Sequence, residues 1–177
     1  MRVRPLILLI TAAALPSTGA SDADLARGAE ILLPFKRELQ RALQEGLAGG
    51  PEAAIAACRT RAPEIAASIS RDGVRVGRTS HRLRNPANAA PAWVAPLLDR
   101  AVSDAAQRVP QTVALSADRR GYVEPITVQP MCLTCHGEAL SAAISSRLEA
   151  LYPEDRAVGF RVGDFRGLFW AEFGAAP

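Results

Sequence analysis

The sequence predicts an α+β fold in which a small antiparallel sheet packs beside long helices. Apolar residues recur at helical spacing through residues 22–47, and a second helical pattern runs from residue 51 to about residue 70. Residues 111–115 and 122–128 instead alternate between apolar and polar side chains, as half-buried strands do. Apolar residues make up 49% of the 177 residues, which suits one globular domain with its own hydrophobic core.

Both N-terminal helical patterns contain a proline in their interior. Pro34 is expected to kink the first helix or to mark a restart, and Pro63 is expected to interrupt the second. Gly49 and Gly50 end the first pattern, and Pro51 suits the first turn of the helix that follows.

The rest of the chain is predicted to mix strands and helices. The expected elements are, in order, a strand at 74–77, a polar loop at 85–91, a helix at 93–109, the antiparallel strands 111–115 and 122–128, and a helix at 138–151. Residues 119–121 are expected to form the turn between those two strands. A closing hairpin of residues 157–162 and 167–173, with its turn at Gly163 and Asp164, completes the prediction.

The first twenty residues have the order of a secretory signal peptide. Two arginines precede an apolar run over residues 6–15, and small residues at 18–20 lead to an expected cleavage after Ala20. A run of about ten apolar residues is too short for a membrane anchor, which needs roughly 20. We therefore expect a soluble periplasmic product, without a membrane span, whose single domain covers residues 21–177.

The charge balance gives no reason to expect nucleic acid as a partner. The whole chain has a formal net charge of +3, but without the two N-terminal arginines 19 basic residues face 18 acidic ones. No run of Lys or Arg with interleaved aromatic residues occurs.

The motif Cys-Leu-Thr-Cys-His at residues 132–136 has the spacing of a c-type haem attachment site. Two thiols at this spacing add across the haem vinyl groups as thioethers, and the histidine that follows then ligates the iron. A redox dithiol would need a βαβ setting, and a zinc site would need a second ligand pair; the sequence shows neither. We expect one covalent haem c on Cys132 and Cys135, with His136 on the iron.

The second axial ligand of the iron is open between Cys58 and His81. Met131 is adjacent to Cys132 and cannot easily reach round the ring, and Met1 leaves with the signal peptide, so the common His/Met pair is excluded. A helical Cys58 is often only a small apolar side chain, and a histidine among arginines, such as His81, is ordinarily solvated. Sequence spacing does not decide between them.

Five blocks of residues, separated along the chain, carry a more specific resemblance. They are Ala54-Ile55-Ala56-Ala57-Cys58 with Ala62-Pro63-Glu64-Ile65-Ala66; Gly77-Arg78-Thr79-Ser80 with Arg84-Asn85-Pro86-Ala87-Asn88; Cys132 to Gly137; Leu151-Tyr152-Pro153 with Asp155, Ala157, Gly159 and Phe160; and Gly163-Asp164 with Arg166-Gly167. In this order they resemble the single-haem c-type cytochromes with a PAS-like fold, a family first known as a domain of unknown function. In that family the cysteine of the first block ligates the iron opposite the histidine, so the resemblance implies Cys58 as the second ligand and gives His81 no such role.

Other side chains are candidates for contact with the haem. Arg84 and Arg166 are candidate partners of the propionates, because a guanidinium binds a carboxylate in a bidentate fork. The alternative for Arg84 is to order its own loop through nearby asparagines. Tyr152, with Pro153 and Phe160, is a candidate for the wall of the haem pocket, although aromatic residues at such positions are often plain core.

Two functions follow from a haem with a thiolate ligand, and the sequence leaves both open. The first is electron transfer at low potential to a redox partner protein, because an anionic ligand stabilises ferric iron. The second is sensing, in which the thiolate leaves on reduction, a small gas ligand binds, and a signalling partner receives the change. An enzyme is not expected, since no acid/base group accompanies the motif; a weak peroxidase-like activity is a third option.

Overall fold

In the computed structural model, residues 21–175 are described, and they form helices packed on a four-stranded antiparallel sheet. The helices are α1 (Asp22–Ala48), α2 (Pro51–Ile69), α3 (Ala95–Ser103), α4 (Leu133–His136) and α5 (Ala142–Leu151). The strands are β1 (Arg75–Thr79), β2 (Gln111–Ala114), β3 (Arg119–Thr127) and β4 (Phe165–Gly174), in the sheet order β1-β4-β3-β2. The α+β class with long helices beside a small antiparallel sheet is confirmed; the predicted signal peptide lies outside the described residues.

Helices α1 and α2 run without interruption through their prolines. Ser21 caps α1 by accepting a hydrogen bond from the Asp24 backbone N–H, and Pro51 occupies the first turn of α2, as predicted. Pro34 and Pro63 both lie on exposed faces, where the carbonyls that they leave unpaired can reach water. The predicted restart and interruption were therefore wrong, because burial of the opposite helix face offsets the lost hydrogen bonds.

The sheet has an apolar layer on each face, and strand alternation assigns side chains to them. Tyr122, Ala171 and Phe173 belong to the cluster that packs against α1 and α2. Their strand neighbours Val123 and Trp170 belong to a second cluster, with α3. Because Tyr122 pairs with Ala171 and Val123 with Trp170, the two-residue period of both strands separates the two layers. The sheet is therefore the middle of three layers, with α1 and α2 on one face and α3 on the other.

The third helix and the turn between β2 and β3 differ from the prediction. Helix α3 ends at Ser103, because Asp104 is extended and its side chain caps a separate 3-10 turn at Ala105–Gln107. The β2–β3 turn lies at residues 115–118, and Arg119 and Arg120 are already in β3. Arg120 pairs with the buried Asp24, at 3.2 Å, so tertiary partners hold these residues in a strand.

The segment after α4 also differs. Helix α5 begins at Ala142 and not at residue 138, because Ser141 caps it by accepting from the Ile144 N–H. Residues 157–162 form no strand, so the predicted closing hairpin was wrong; β4 pairs with β1 and β3 instead. Within residues 21–175, no helix is both long enough and apolar enough to cross a bilayer.

Candidate functional site

One cavity brings Cys58 together with Cys132, Cys135 and His136 of the motif, which is far from Cys58 in the chain. It has a volume of about 260 Å³ and lies between helices α1 and α2, the segment before and through α4, and parts of strands β1, β3 and β4. Cys58 lines it from α2, whereas Cys132, Cys135 and His136 line it from the motif segment. His81 is not among the lining residues.

The Cys-x-x-Cys-His segment is held in a helical conformation. A 3-10 turn over Pro130–Cys132 leads directly into α4, so Cys132 and Cys135 are three residues apart on nearly continuous helix. Side chains at this spacing share one helix face, which here is the cavity side. Both cysteines and Cys58 are free thiols, as covalent attachment of a vinyl group requires.

His136 is fixed in the orientation that metal-binding histidines usually have. Its Nδ1 lies 2.6 Å from the backbone oxygen of Ala157, which can only accept, so Nδ1 carries the proton. Burial, together with the charges of Arg84 and Arg166, lowers the pKa of His136 to about 3. The imidazole is therefore neutral at physiological pH, and its Nε2 lone pair is available to a metal.

A loop after α5 holds the motif in place from outside. We call residues 152–160 the proximal loop. The N–H of Gly159 donates to the oxygen of Gly137, and the N–H of Phe160 donates to the oxygen of His136, both at 2.9 Å. Together with the His136–Ala157 hydrogen bond, these contacts fix the motif against the loop along several residues. Ala157, Gly159 and Phe160 thus hold the motif, which explains why this part of the chain does not form a hairpin strand.

Cys58 lies near the motif cysteines but not beside them. Burial raises the pKa of the Cys135 thiol; Arg84 opposes this, and the Cys58 and Cys132 thiols raise it further. Among residues 21–175, however, no three His, Cys, Asp or Glu side chains are close enough to hold a single metal ion. Cys58 and the motif residues therefore do not form such a cluster within the described part of the chain.

The polar end of the cavity is strongly basic. Arg78, Arg84 and Arg166 line it, and none of the described lining residues is acidic. Arg84 is neutralised by Asp155, whose Oδ2 accepts from Nε at 2.9 Å. Arg78 and Arg166 have no carboxylate within salt-bridge distance among residues 21–175. Two positive charges thus face the cavity without a counter-charge of their own.

Arg166, which is half-buried, and Thr79, which is buried, are polar lining groups that can accept a further partner. Burial, together with the charges of Arg78 and Arg84, lowers the pKa of Arg166 to about 10. Its Nη1 donates only to oxygens of uncharged groups, Ser80 Oγ at 2.5 Å and the Arg82 backbone oxygen at 3.2 Å. Thr79 is 4% exposed, and its Oγ1 has no hydrogen-bond partner within the described chain. An anion at this end would satisfy both.

The aromatic candidates fall into two groups. Tyr152 lines the cavity; burial first, and then the neighbouring Cys58, raise its pKa. Phe160 is behind the motif instead, with its ring edge-on to His136 at a centroid distance of 6.4 Å. His81 stacks on Phe165 with the rings 8° from parallel, on the outside of the molecule. Pro153 lines a separate surface pocket.

Sequence reasoning missed Arg78 and Thr79 as lining residues. Both belong to a block that carried the family resemblance, but nothing local in Arg-Thr-Ser indicates a cavity. Their position depends on β1 pairing with β4, where Arg78 is opposite Phe169 and Thr79 opposite Leu168. The sequence spacing of these residues does not predict which residue of β1 pairs with which residue of β4.

Fold and site together define a class: an α+β protein in which a helix, a sheet edge and a Cys-x-x-Cys-His segment enclose a basic, thiol-lined cavity. The Tll0287-like family model matches residues 19–172, and the chain belongs to the Tll0287-like family. The crystal structure of the cyanobacterial heme-protein Tll0287 is similar, with a TM-score of 0.59 and 26% sequence identity over 89% of this chain and 98% of that one. No curated protein matches the chain.

Proposed function

We propose that this chain is an exported c-type cytochrome with one haem, bound covalently through Cys132 and Cys135, and with His136 and Cys58 as the iron ligands. The observation that carries the proposal is that all four side chains line one cavity, with His136 already presenting an unprotonated Nε2. The similarity to the cyanobacterial heme-protein Tll0287 supports the same cofactor. When bound, haem supplies the one-electron chemistry of its iron.

A haem has an apolar edge and an edge that carries two charged propionates, and the cavity has walls that suit each of them. Apolar side chains of α1 and α2 line one side; they include Phe35, Leu43, Leu47, Ile55 and Ala66. The other side carries Arg78, Arg166 and the unpaired Thr79 Oγ1. Two guanidinium groups without carboxylates match the two propionates in number and charge. Arg84, a propionate candidate from sequence, is already paired with Asp155, so we assign the propionates to Arg78 and Arg166.

The proposal is tested by producing the full chain in a bacterial host that attaches haem to exported cytochromes. We expect a red protein in the periplasmic fraction whose haem stays with the polypeptide after extraction with acidified acetone. Haem that passes into the acetone would contradict covalent attachment, and a colourless folded protein would contradict haem binding itself.

Within this proposal, electron transfer is the function that the site supports best. An anionic thiolate and a neutral imidazole leave no open position on the iron, and thiolate ligation favours the ferric state. The protein would then exchange electrons with a redox partner at a low potential. No acid/base side chain among the lining residues suits a reaction on a substrate, so we propose a carrier rather than an enzyme.

Sensing is a second candidate, and the surroundings of Cys58 favour it. Ala54, Ala62 and Ala66 line the cavity near Cys58, and their small side chains leave room for the sulfur to move and for a diatomic molecule to enter. A sensor would lose the thiolate on reduction and pass the change to a signalling partner. We expect a carrier to keep its ferrous spectrum unchanged under carbon monoxide; a rapid shift of the Soret band would show an open site and favour the sensor.

Substitution of Arg78 tests the orientation of the cofactor. Arg78→Ala removes a charge-assisted hydrogen bond worth roughly 1.5–3 kcal/mol, so we expect the haem-loaded protein to unfold at a lower temperature. Its reduction potential should also fall, because a nearby positive charge stabilises ferrous iron. Arg161→Ala, an arginine that is 75% exposed, is the matched control and should change neither quantity. Equal behaviour of the two variants would contradict the assignment.

A further inference from the structure

Arg84 and the motif histidine share one acceptor. The Ala157 backbone oxygen accepts from His136 Nδ1 at 2.6 Å and from Arg84 Nη2 at 3.3 Å. The same Arg84 nitrogen donates to the Cys135 backbone oxygen at 2.5 Å. A single guanidinium therefore contacts the backbone at two places: beside one attachment cysteine, and at the group that orients the histidine.

Asp155 completes the arrangement from the other side. Its Oδ2 accepts from Arg84 Nε at 2.9 Å, and its Oδ1 accepts from the Ala157 N–H at 2.7 Å. The carboxylate thus binds both the arginine and the backbone N–H of Ala157, the residue whose carbonyl faces His136. The side chains of Arg84 and Asp155 are only 14% and 9% exposed, so water screens this ion pair weakly.

We propose that Arg84 and Asp155 are positioning residues that set the strength of the His136–Ala157 hydrogen bond and, through it, the reduction potential of the iron. The inference rests on the proposed function, because it needs His136 on the iron. It gives Arg84 a role different from the propionate contact expected from sequence, and gives Asp155 a role where sequence reasoning found none.

The physical basis is the competition of two donors for one oxygen. The guanidinium draws electron density from the Ala157 oxygen, which weakens that oxygen as an acceptor for Nδ1–H and makes the imidazole a poorer electron donor to the metal. Without Arg84 the imidazole gains anionic character, which favours ferric iron. Loss of the positive charge acts in the same direction, so both effects lower the potential.

The Arg84→Gln and Asp155→Asn variants are expected to shift the potential in opposite directions. Arg84→Gln removes the cation and should lower it. Asp155→Asn keeps an oxygen for the Ala157 N–H but leaves the arginine charge uncompensated, and should raise it. We expect at least a tenfold change, each way, in the ratio of reduced to oxidised protein at a fixed solution potential, which is about 59 mV for a one-electron couple.

The experiment is a spectroelectrochemical titration of the haem-loaded full chain, with haem content per polypeptide measured first. Arg161→Gln is the matched control, since it removes an exposed arginine a few residues further along the chain that pairs with the exposed Glu138. Its potential should equal that of the parent protein. A purely structural role for the pair would loosen the loop in both variants and move both potentials in the same direction.

Failure of the inference and failure of the proposed function have different signatures. A parent protein without attached haem contradicts the proposed function. A haem-loaded parent whose two variants show equal potentials, or shifts of the same sign, overturns the positioning role alone. If Arg84→Gln does not retain haem, the rise expected for Asp155→Asn decides the matter, and an unchanged or lower potential there overturns the inference.

Discussion

Replacement of Cys58 by alanine is expected to change the ferric absorption spectrum and to raise the reduction potential. Among the described lining residues, Cys58 is the one cysteine that does not belong to the attachment motif, and it lines the cavity from α2. Loss of an anionic ligand removes the preference for ferric iron. We expect a rise on the order of 0.1 V, within the roughly 0.8 V range over which axial ligands set haem potentials.

The Cys58→Ala variant should also become able to bind a small ligand. The alanine side chain has no sulfur, so the iron would have an open coordination position. The ferrous form should then bind carbon monoxide. His81→Ala is the control, because His81 is outside the cavity and stacked on Phe165. A ferric spectrum that is unchanged in Cys58→Ala but altered in His81→Ala would reverse the ligand assignment.

Replacement of both motif cysteines by serine is expected to abolish covalent attachment. Serine oxygen does not add to a vinyl group as the thiol does, so the Cys132→Ser and Cys135→Ser double variant should carry no haem that survives acidified acetone. The measurement is the mass of the denatured polypeptide. We expect the parent to gain the mass of one haem and the double variant to have the mass of the chain alone.

The third cysteine supplies a matched control for this experiment. Cys58→Ser makes the same chemical change at the same cavity, but Cys58 is on α2 and away from the motif. We expect this variant to keep its haem mass while its spectrum changes. Loss of covalent haem from Cys58→Ser, or its retention in the double variant, would be incompatible with attachment at Cys132 and Cys135.

Local patterns in the sequence predicted the fold class because the large elements carry their own signals. Helices α1 and α2 were predicted within a few residues from apolar spacing and from the glycines and proline between them. Strand alternation likewise predicted β2 and most of β3. These signals are short-range, so they do not depend on which elements eventually meet.

The secondary-structure predictions were wrong where contacts with residues far along the chain determine the local conformation. Arg119 and Arg120 look like turn residues, but Arg120 is held by Asp24 on α1, and Arg119 bonds the backbone oxygen of Gly73. Residues 157–162 resemble a hairpin strand, yet the N–H groups of Gly159 and Phe160 donate to the backbone of Gly137 and His136. The pattern of apolar and polar residues within a segment does not indicate such distant contacts.

The residues of the candidate site also divide into those predictable from local sequence and those placed by contacts between distant parts of the chain. The Cys-x-x-Cys-His motif is contiguous, so its chemistry could be predicted from five residues. Cys58 was predicted as the second iron ligand only from the family resemblance, because sequence spacing did not exclude His81 from that role. Arg78 and Thr79 could not be predicted, because their place in the cavity follows from the register of β1 on β4. The pairing of Arg84 with Asp155 likewise joins two loops that are far apart in sequence.

The ligand pair of the iron is the central claim, and a low-temperature electron paramagnetic resonance spectrum of the ferric full-length protein tests it most directly. Thiolate and imidazole together give low-spin ferric haem with a narrow spread of g values. We predict this narrow low-spin signal in the parent protein and its loss in Cys58→Ala. A high-spin signal, or the broad low-spin signal of two nitrogen ligands, would contradict the pairing of Cys58 with His136.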